Sequence, residues 1–189
     1  MYPQIYAFFL NFADMKDRKL LNIELGRISP AEYKELPPSG LAVVLDNIRS
    51  AHTVGSAFRT ADSFGIDRVF LCGISAVPPS AEIHKSALGA EDSVPWEHVD
   101  DTLEAVRRLQ SDGWTVVAVE QTVHSLKLGS GFHRGPGRKY ALVFGNEVSG
   151  VRQDVVDACD LSLEIPQYGT KHSLNVSVSV GVVLWEMVR

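Results

Sequence analysis

The sequence predicts an α/β fold, a mostly parallel β-sheet with helices on both faces. Three observations predict it. Short, continuously apolar runs recur along the chain, each closed by turn residues, as strands covered on both faces require. Segments of helical period lie between them, which lets each strand return parallel to the last. The 189 residues, 45% apolar and 22% charged, are enough for one domain with a substantial core.

The chain opens with MYPQIYAFFLNFAD. This stretch lacks the basic start and small-residue cleavage site of a secretion signal and is too short to span a bilayer. It reads as a tail, with MKDRKLLN from Met15 as the more natural opening. Residues 1–36 are thus a tail and a short, partly helical lead-in; Pro37–Gly40 (PPSG) separates them from the domain proper, 37–189.

The first strand is Leu41–Asn47. Val54, Ala57, Phe58 and Ala61 follow at helical spacing, with Thr53 as a candidate N-cap. Arg68–Gly73 is the second strand. Leu103, Val106 and Leu109 mark a helix that Asp100 or Asp101 can cap and Gly113 can end. Trp114–Gln121, Tyr140–Gly145 and Leu161–Pro166 complete the predicted strands.

The Gly-rich GSGFHRGPGRKY (Gly129–Tyr140) precedes a strand. Dinucleotide and P-loop fingerprints need a strand leading into a helix, because the helix N-terminus holds the phosphate. It therefore reads as a surface loop, whose His133, Arg134, Arg138 and Lys139 can reach RNA phosphates.

The last helix follows HSLN (His172–Asn175) and is apolar nearly all round, as in a helix buried on several sides. Ser173 is its candidate N-cap. At about 100° per residue, Asn175, Ser179 and Glu186 share one stripe. Ser177, Gly181 and Trp185 share another, which permits close packing against a neighbour, a second subunit included.

The net charge of −5 excludes a surface coated throughout for nucleic acid, so an RNA site must be a local patch. Cys72 and Cys159 stand apart among apolar residues and read as free thiols in a reducing cytoplasm. No His, Cys, Asp or Glu spacing reads as a metal site.

In open α/β sheets, ligands collect at the carboxyl ends of the strands. Three such ends are polar here: DNIRSAHTVGSAFRTAD (Asp46–Asp62), VFGNEVSGV (Val143–Val151) and IPQYGTKHSLN (Ile165–Asn175). In this order they resemble the SPOUT methyltransferases, in the TrmH/SpoU branch. The resemblance runs from about Leu41 to the C-terminus and rests on RTAD, VFGNEVSGV and IP…SLNVSVS.

The resemblance implies several things that periodicity does not. The fold would carry a deep C-terminal trefoil knot. The activity would be transfer of a methyl group from S-adenosyl-L-methionine to a ribose 2′-hydroxyl of tRNA or rRNA. The chain would be a homodimer packed through the first domain helix and the C-terminal helix. Val119, Gly145, Ile165, Ser173 and Leu174 would hold the cofactor; Arg59, Glu147, Ser173 and Asn175 would be the catalytic set. Arginine keeps its proton far above neutral pH, so Arg59 fits phosphate clamping and hydroxyl orientation better than simple base catalysis. Outside the resemblance, the basic Lys16, Arg18, Lys19 and Arg27 of the lead-in, with the Gly-rich loop, read as auxiliary RNA contacts.

One position departs from the pattern: Thr53 stands where the family places asparagine, six residues before the arginine. Threonine keeps a hydroxyl but lacks the amide's paired donor and acceptor. Two other readings compete, a non-catalytic RNA- or cofactor-binding protein and a signalling domain phosphorylated on Asp46. The second leaves the Val143–Val151 and Ile165–Asn175 clusters unexplained.

Overall fold

The computed structural model describes residues 17–189, so Lys16 and the candidate start at Met15 lie outside the described residues. Seven strands form one sheet: β1 Leu41–Asp46, β2 Arg68–Cys72, β3 Trp96–Val99, β4 Trp114–Val119, β5 Leu126–Lys127, β6 Lys139–Gly145 and β7 Leu161–Glu164. Their order is β3-β2-β1-β6-β4-β7-β5, and every pairing is parallel. The helices are α1 Pro30–Lys34, α2 Ala51–Ser63, α3 Ala81–Ala87, α4 Ala90–Ser93, α5 Thr102–Ser111, α6 Gln153–Ala158 and α7 Val176–Val188, with a 3₁₀ turn at Asn22–Leu25.

Alternation along β1 divides the core in two. Leu41, Val43 and Leu45 join α2 (Val54, Ala57, Phe58) and α7 (Val180, Val183, Leu184) on one face. Ala42 and Val44 join α5 (Ala105, Val106, Leu109) and Val155 of α6 on the other. All six β1 side chains are buried. Covering both faces explains why the strands read as continuous apolar runs; each Leu-sized side chain contributes about 1.5–3 kcal/mol. Helices α2 and α3 approach so closely that a Cβ at Gly55 would lie 2.1 Å from Ser86 Oγ and 2.4 Å from the Ile83 carbonyl oxygen.

The lead-in is tied down by Tyr33. Its buried ring sends the phenol to the carbonyls of Ile66 (2.9 Å) and Ala61 (3.3 Å). Burial, with Asp62 and Asp67 nearby, pushes its pKa well up.

Several elements differ from expectation. Helix α2 starts at Ala51, not near Val54, because Ser50 is the N-cap and accepts from the Thr53 amide; Thr53 lies inside the first turn. Asn175, not Ser173, occupies the cap position of α7. That helix buries only Val180, Val183, Leu184 and Met187 within the chain; Val178, Val182, Trp185 and Val188 are exposed. Strands β3 and β5 and helices α3, α4 and α6 were not predicted. β3 is a four-residue strand with a single buried side chain, and α6 buries only Val155, so neither carries a clear apolar period.

Candidate active site

Strands β6 and β7 both flank β4. The loops after these three strands, with the start of α7, therefore surround one cleft, of about 1130 Å³. Val119, Gly145, Ile165, Ser173 and Leu174 line it, as do Glu147, Asn175 and Ser179.

The loop after β6 is held tightly. A Cβ on Gly145 would meet the backbone of Gly150 at 1.9 Å and of Val151 at 2.0 Å, so only glycine permits this closure. The Asn146 side chain accepts from the amides of Val148 and Ser149, both at 2.9 Å. The Gly150 amide returns to the Asn146 carbonyl at 3.0 Å, with Gly150 at φ 66°. Glu120, just past β4, accepts from the Val151 amide at 3.0 Å and from Gln121 at 2.9 Å. Glu147 projects from the loop, exposed, and accepts from Thr53 Oγ1 at 3.2 Å.

Beneath this loop lies Asp46, fully buried at the end of β1. It accepts from Thr102 Oγ1 (2.5 Å), Asn47 Nδ2 (2.8 Å) and the Arg152 amide (3.1 Å). The end of β1, the start of α5 and the N-cap of α6 thus meet on one carboxylate. Closed off by these donors, it is not a surface phosphoacceptor.

The third loop ends at α7. Asn175 makes no side-chain cap bond and faces the cleft with Ser179, while Glu186, predicted on the same stripe, pairs with Arg189 at 3.0 Å. Gln121 Nε2 donates to the His172 carbonyl at 2.7 Å, joining the loops after β4 and β7. The walls thus offer backbone groups and short polar side chains, suited to a polar cofactor held largely through main-chain atoms.

The family model described as SpoU rRNA Methylase matches residues 40–185, the stretch that contains all three loops. The chain belongs to the SpoU rRNA methylase family. It is 37% identical over 158 residues to the 23S rRNA (guanosine-2′-O-)-methyltransferase RlmB of Nitrosomonas europaea, covering 82% of this chain and 58% of that protein. It is 33% identical over 153 residues to RlmB of Neisseria meningitidis, covering 81% and 59%. The chain therefore spans less than two thirds of the length of these curated relatives. Among solved structures, the TrmH/SpoU tRNA modifying enzyme of A. aeolicus superposes with TM-score 0.73 at 25% identity, over 84% of this chain and 80% of that one. The AdoMet-bound rRNA methyltransferase of Sinorhizobium meliloti gives 0.73 at 26% identity, over 85% and 60%.

Within this SpoU family chain the predicted residues fall into two groups. Val119, Gly145, Glu147, Ile165, Ser173, Leu174 and Asn175 share the cleft. Arg59 is exposed on α2 outside the cleft wall; the contact between Thr53 and Glu147 links its helix to that wall.

The Gly-rich loop does not join them. Arg134 donates to the carbonyls of Ser39 and Met187, which commits its guanidinium to holding the fold. Lys139 opens β6, its ammonium 5.6 Å from the Trp114 ring centre. It and Arg138 lie at the amino end of the strand, roughly 20 Å from Gly145 by strand rise. Arg138 and Lys139 thus lie away from the cleft, because a strand carries its first and last residues to opposite ends of the sheet.

Glu120, Thr102 and the Thr53–Glu147 contact were missed. Glu120 carried a signal, a polar residue straight after an apolar strand; the other two are long-range pairings that no local pattern marks. Burial pushes the thiols of Cys72 and Cys159 up to about 12, which makes both poor nucleophiles. Among the described residues, no group of three or more His, Cys, Asp or Glu is placed to hold a metal ion.

Proposed function

We propose that this chain transfers a methyl group from S-adenosyl-L-methionine to a ribose 2′-hydroxyl of tRNA or rRNA. The observation that carries the reading is the convergence of three strand-end loops on one cleft, with Gly145, Ile165 and Leu174 in its wall and Glu147 and Asn175 beside them. The names of the RlmB relatives and of the AdoMet-bound neighbour support it. The glycine-closed loop and the uncapped Asn175 fit a polar cofactor.

S-adenosyl-L-methionine supplies a methyl already activated on a sulfonium. The remaining work is positioning and proton removal: the ribose oxygen gains the methyl as the sulfur–carbon bond breaks, and the hydroxyl proton leaves. Arg59 clamps a phosphate and orients the hydroxyl, while Glu147, Ser173 and Asn175 order the loops around it. Tyr168, 96% exposed beside Gln167 of the cleft wall, offers a face on which a nucleobase can stack.

Residues 37–189 are the methyltransferase domain in this reading, with the knot at its C-terminal loops, and 1–36 the lead-in. Its place is the cytoplasm; among the described residues no helix is long and apolar enough to cross a membrane. The exposed stripe Val178, Val182, Trp185 on α7, with Phe64, the C-cap of α2, packed on Trp185 at 6.1 Å between ring centres, supports a homodimer through these two helices.

The test is transfer of radiolabelled methyl to total tRNA and rRNA from the host, with the label mapped. Label on ribose 2′-oxygens supports the proposal. Label confined to bases, or cofactor binding without transfer to any RNA, refutes it.

A further inference from the structure

Helix α2 carries four hydroxyl side chains, and three serve the helix itself. Ser56, Thr60 and Ser63 each donate to the carbonyl four residues back, at 2.9 Å in every case. Thr53 does not. The carbonyl four residues before it belongs to Arg49, ahead of the N-cap Ser50, and its amide is already held by Ser50 Oγ. The hydroxyl is left free, and it crosses 94 residues of sequence to Glu147 Oε1 at 3.2 Å.

Glu147 depends on that contact. Its loop backbone is fixed at the base by Gly145, the Asn146 turn and the Glu120 anchor. Its carboxylate has no other hydrogen bond or ion pair among the described residues. The loop thus sets where the Glu147 backbone stands, and only Thr53 sets where its carboxylate points. A long exposed side chain otherwise samples several rotamers.

We infer that Thr53 is a positioning residue: it aims the Glu147 carboxylate at the mouth of the cleft and joins the Arg59 helix to the β6 loop. The inference rests on the methyltransferase reading for its effect on rate, and on the structure alone for the contact. A positioned group made available in one rotamer acts on the chemical step and leaves cofactor binding nearly unchanged. The side chain required here is a hydrogen-bond donor at the first turn of α2. Threonine, serine and asparagine meet that requirement and valine does not.

The experiment compares Thr53→Val, Thr53→Ser and Thr53→Asn with wild type. Single-turnover methyl transfer on the methylated RNA, cofactor affinity by calorimetry, thermal midpoint and the Glu147 Cδ resonance are measured for each. Valine keeps the β-branched shape, so the midpoint stays within about 2 °C, as for ordinary surface substitutions. The expected result is a roughly tenfold slower transfer for Thr53→Val, cofactor affinity within about twofold, and a shifted Glu147 resonance. Thr53→Ser should recover most of the rate, and Thr53→Asn should equal or exceed wild type. In a Glu147→Ala background, Thr53→Val should add no further loss.

An unchanged rate and resonance in Thr53→Val would overturn the inference, and so would an equal rate loss in the Glu147→Ala background. Absence of methyl transfer by the wild-type chain on all host RNA would defeat the methyltransferase reading and the rate claim with it; the Glu147 resonance separately decides the contact.

Discussion

Replacing Asp46 by asparagine tests the junction beneath the cleft. The substitution keeps size and shape but removes the charge and one acceptor oxygen. Oδ1 receives Thr102 and Asn47, and Oδ2 receives the Arg152 amide. The new amide keeps more bonds by placing its oxygen where two donors converge, so its NH₂ faces the Arg152 N–H. A part-buried backbone donor then loses its acceptor, costing about 1–3 kcal/mol, and the two remaining bonds lose charge assistance, roughly another 1 kcal/mol. The sum is about 2–4 kcal/mol. For a chain of this size that lowers the thermal midpoint by roughly 4–16 °C. Urea denaturation followed by circular dichroism gives the difference directly, with Thr102→Val as the comparison. That variant removes one donor and leaves Asn47 on Oδ1, so it should lose half as much or less. An Asp46→Asn protein within about 0.5 kcal/mol of wild type would show that the carboxylate is not the structural junction described here.

The remaining predictions concern the site, the thiols and the subunit contact. Arg59→Ala should reduce methyl transfer to background while cofactor affinity measured by calorimetry stays within a few fold, because Arg59 lies outside the cleft wall; loss of cofactor binding with the fold intact would contradict its RNA-facing role. Cys72 and Cys159, raised to about 12 by burial, stay protonated in the native state when unfolded thiols ionise. Their contribution to stability is complete below about pH 8.5 and is lost as pH rises towards 12, so denaturation midpoints should fall over that window and a thiol reagent at pH 8 should label native protein far more slowly than unfolded protein. For the proposed homodimer, Trp185→Glu places a charge on the exposed apolar stripe of α7, so light scattering should give a dimer for wild type and a monomer for the variant; a monomeric wild type or an unchanged dimeric variant would refute the proposed interface.

Much of the fold was legible because strands buried on both faces leave no choice of residue type. Leu41–Asp46 is buried along its whole length and reads as an unbroken apolar run. Helix α5 reads from its amphipathic spacing, with Asp101 ahead of it and Gly113 behind it at φ 80°. The elements that escaped are those whose stability is not local. The two-residue β5 exists only because β7 is there to pair with it. Helix α3 depends on Gly55 giving it room against α2.

The candidate site divides in the same way. Sequence alone determined that polar residues follow three strand ends, that Gly145 precedes Asn146 and Glu147, and that Asn175 precedes an apolar helix, because each is a local departure from an apolar pattern. Tertiary structure alone decided which of these meet. The strand order places β6 and β7 on either side of β4 and so brings their loops to one cleft. It set Lys139 and Arg138 at the amino end of β6, away from the cleft, turned Arg134 inward onto two carbonyls, and gave the Thr53 hydroxyl to Glu147. The physical reason is that a hydroxyl or guanidinium carries the same capacity to bond wherever it stands. Its partner is chosen by the path of the backbone, which is settled by packing of the whole core and not by the residues on either side.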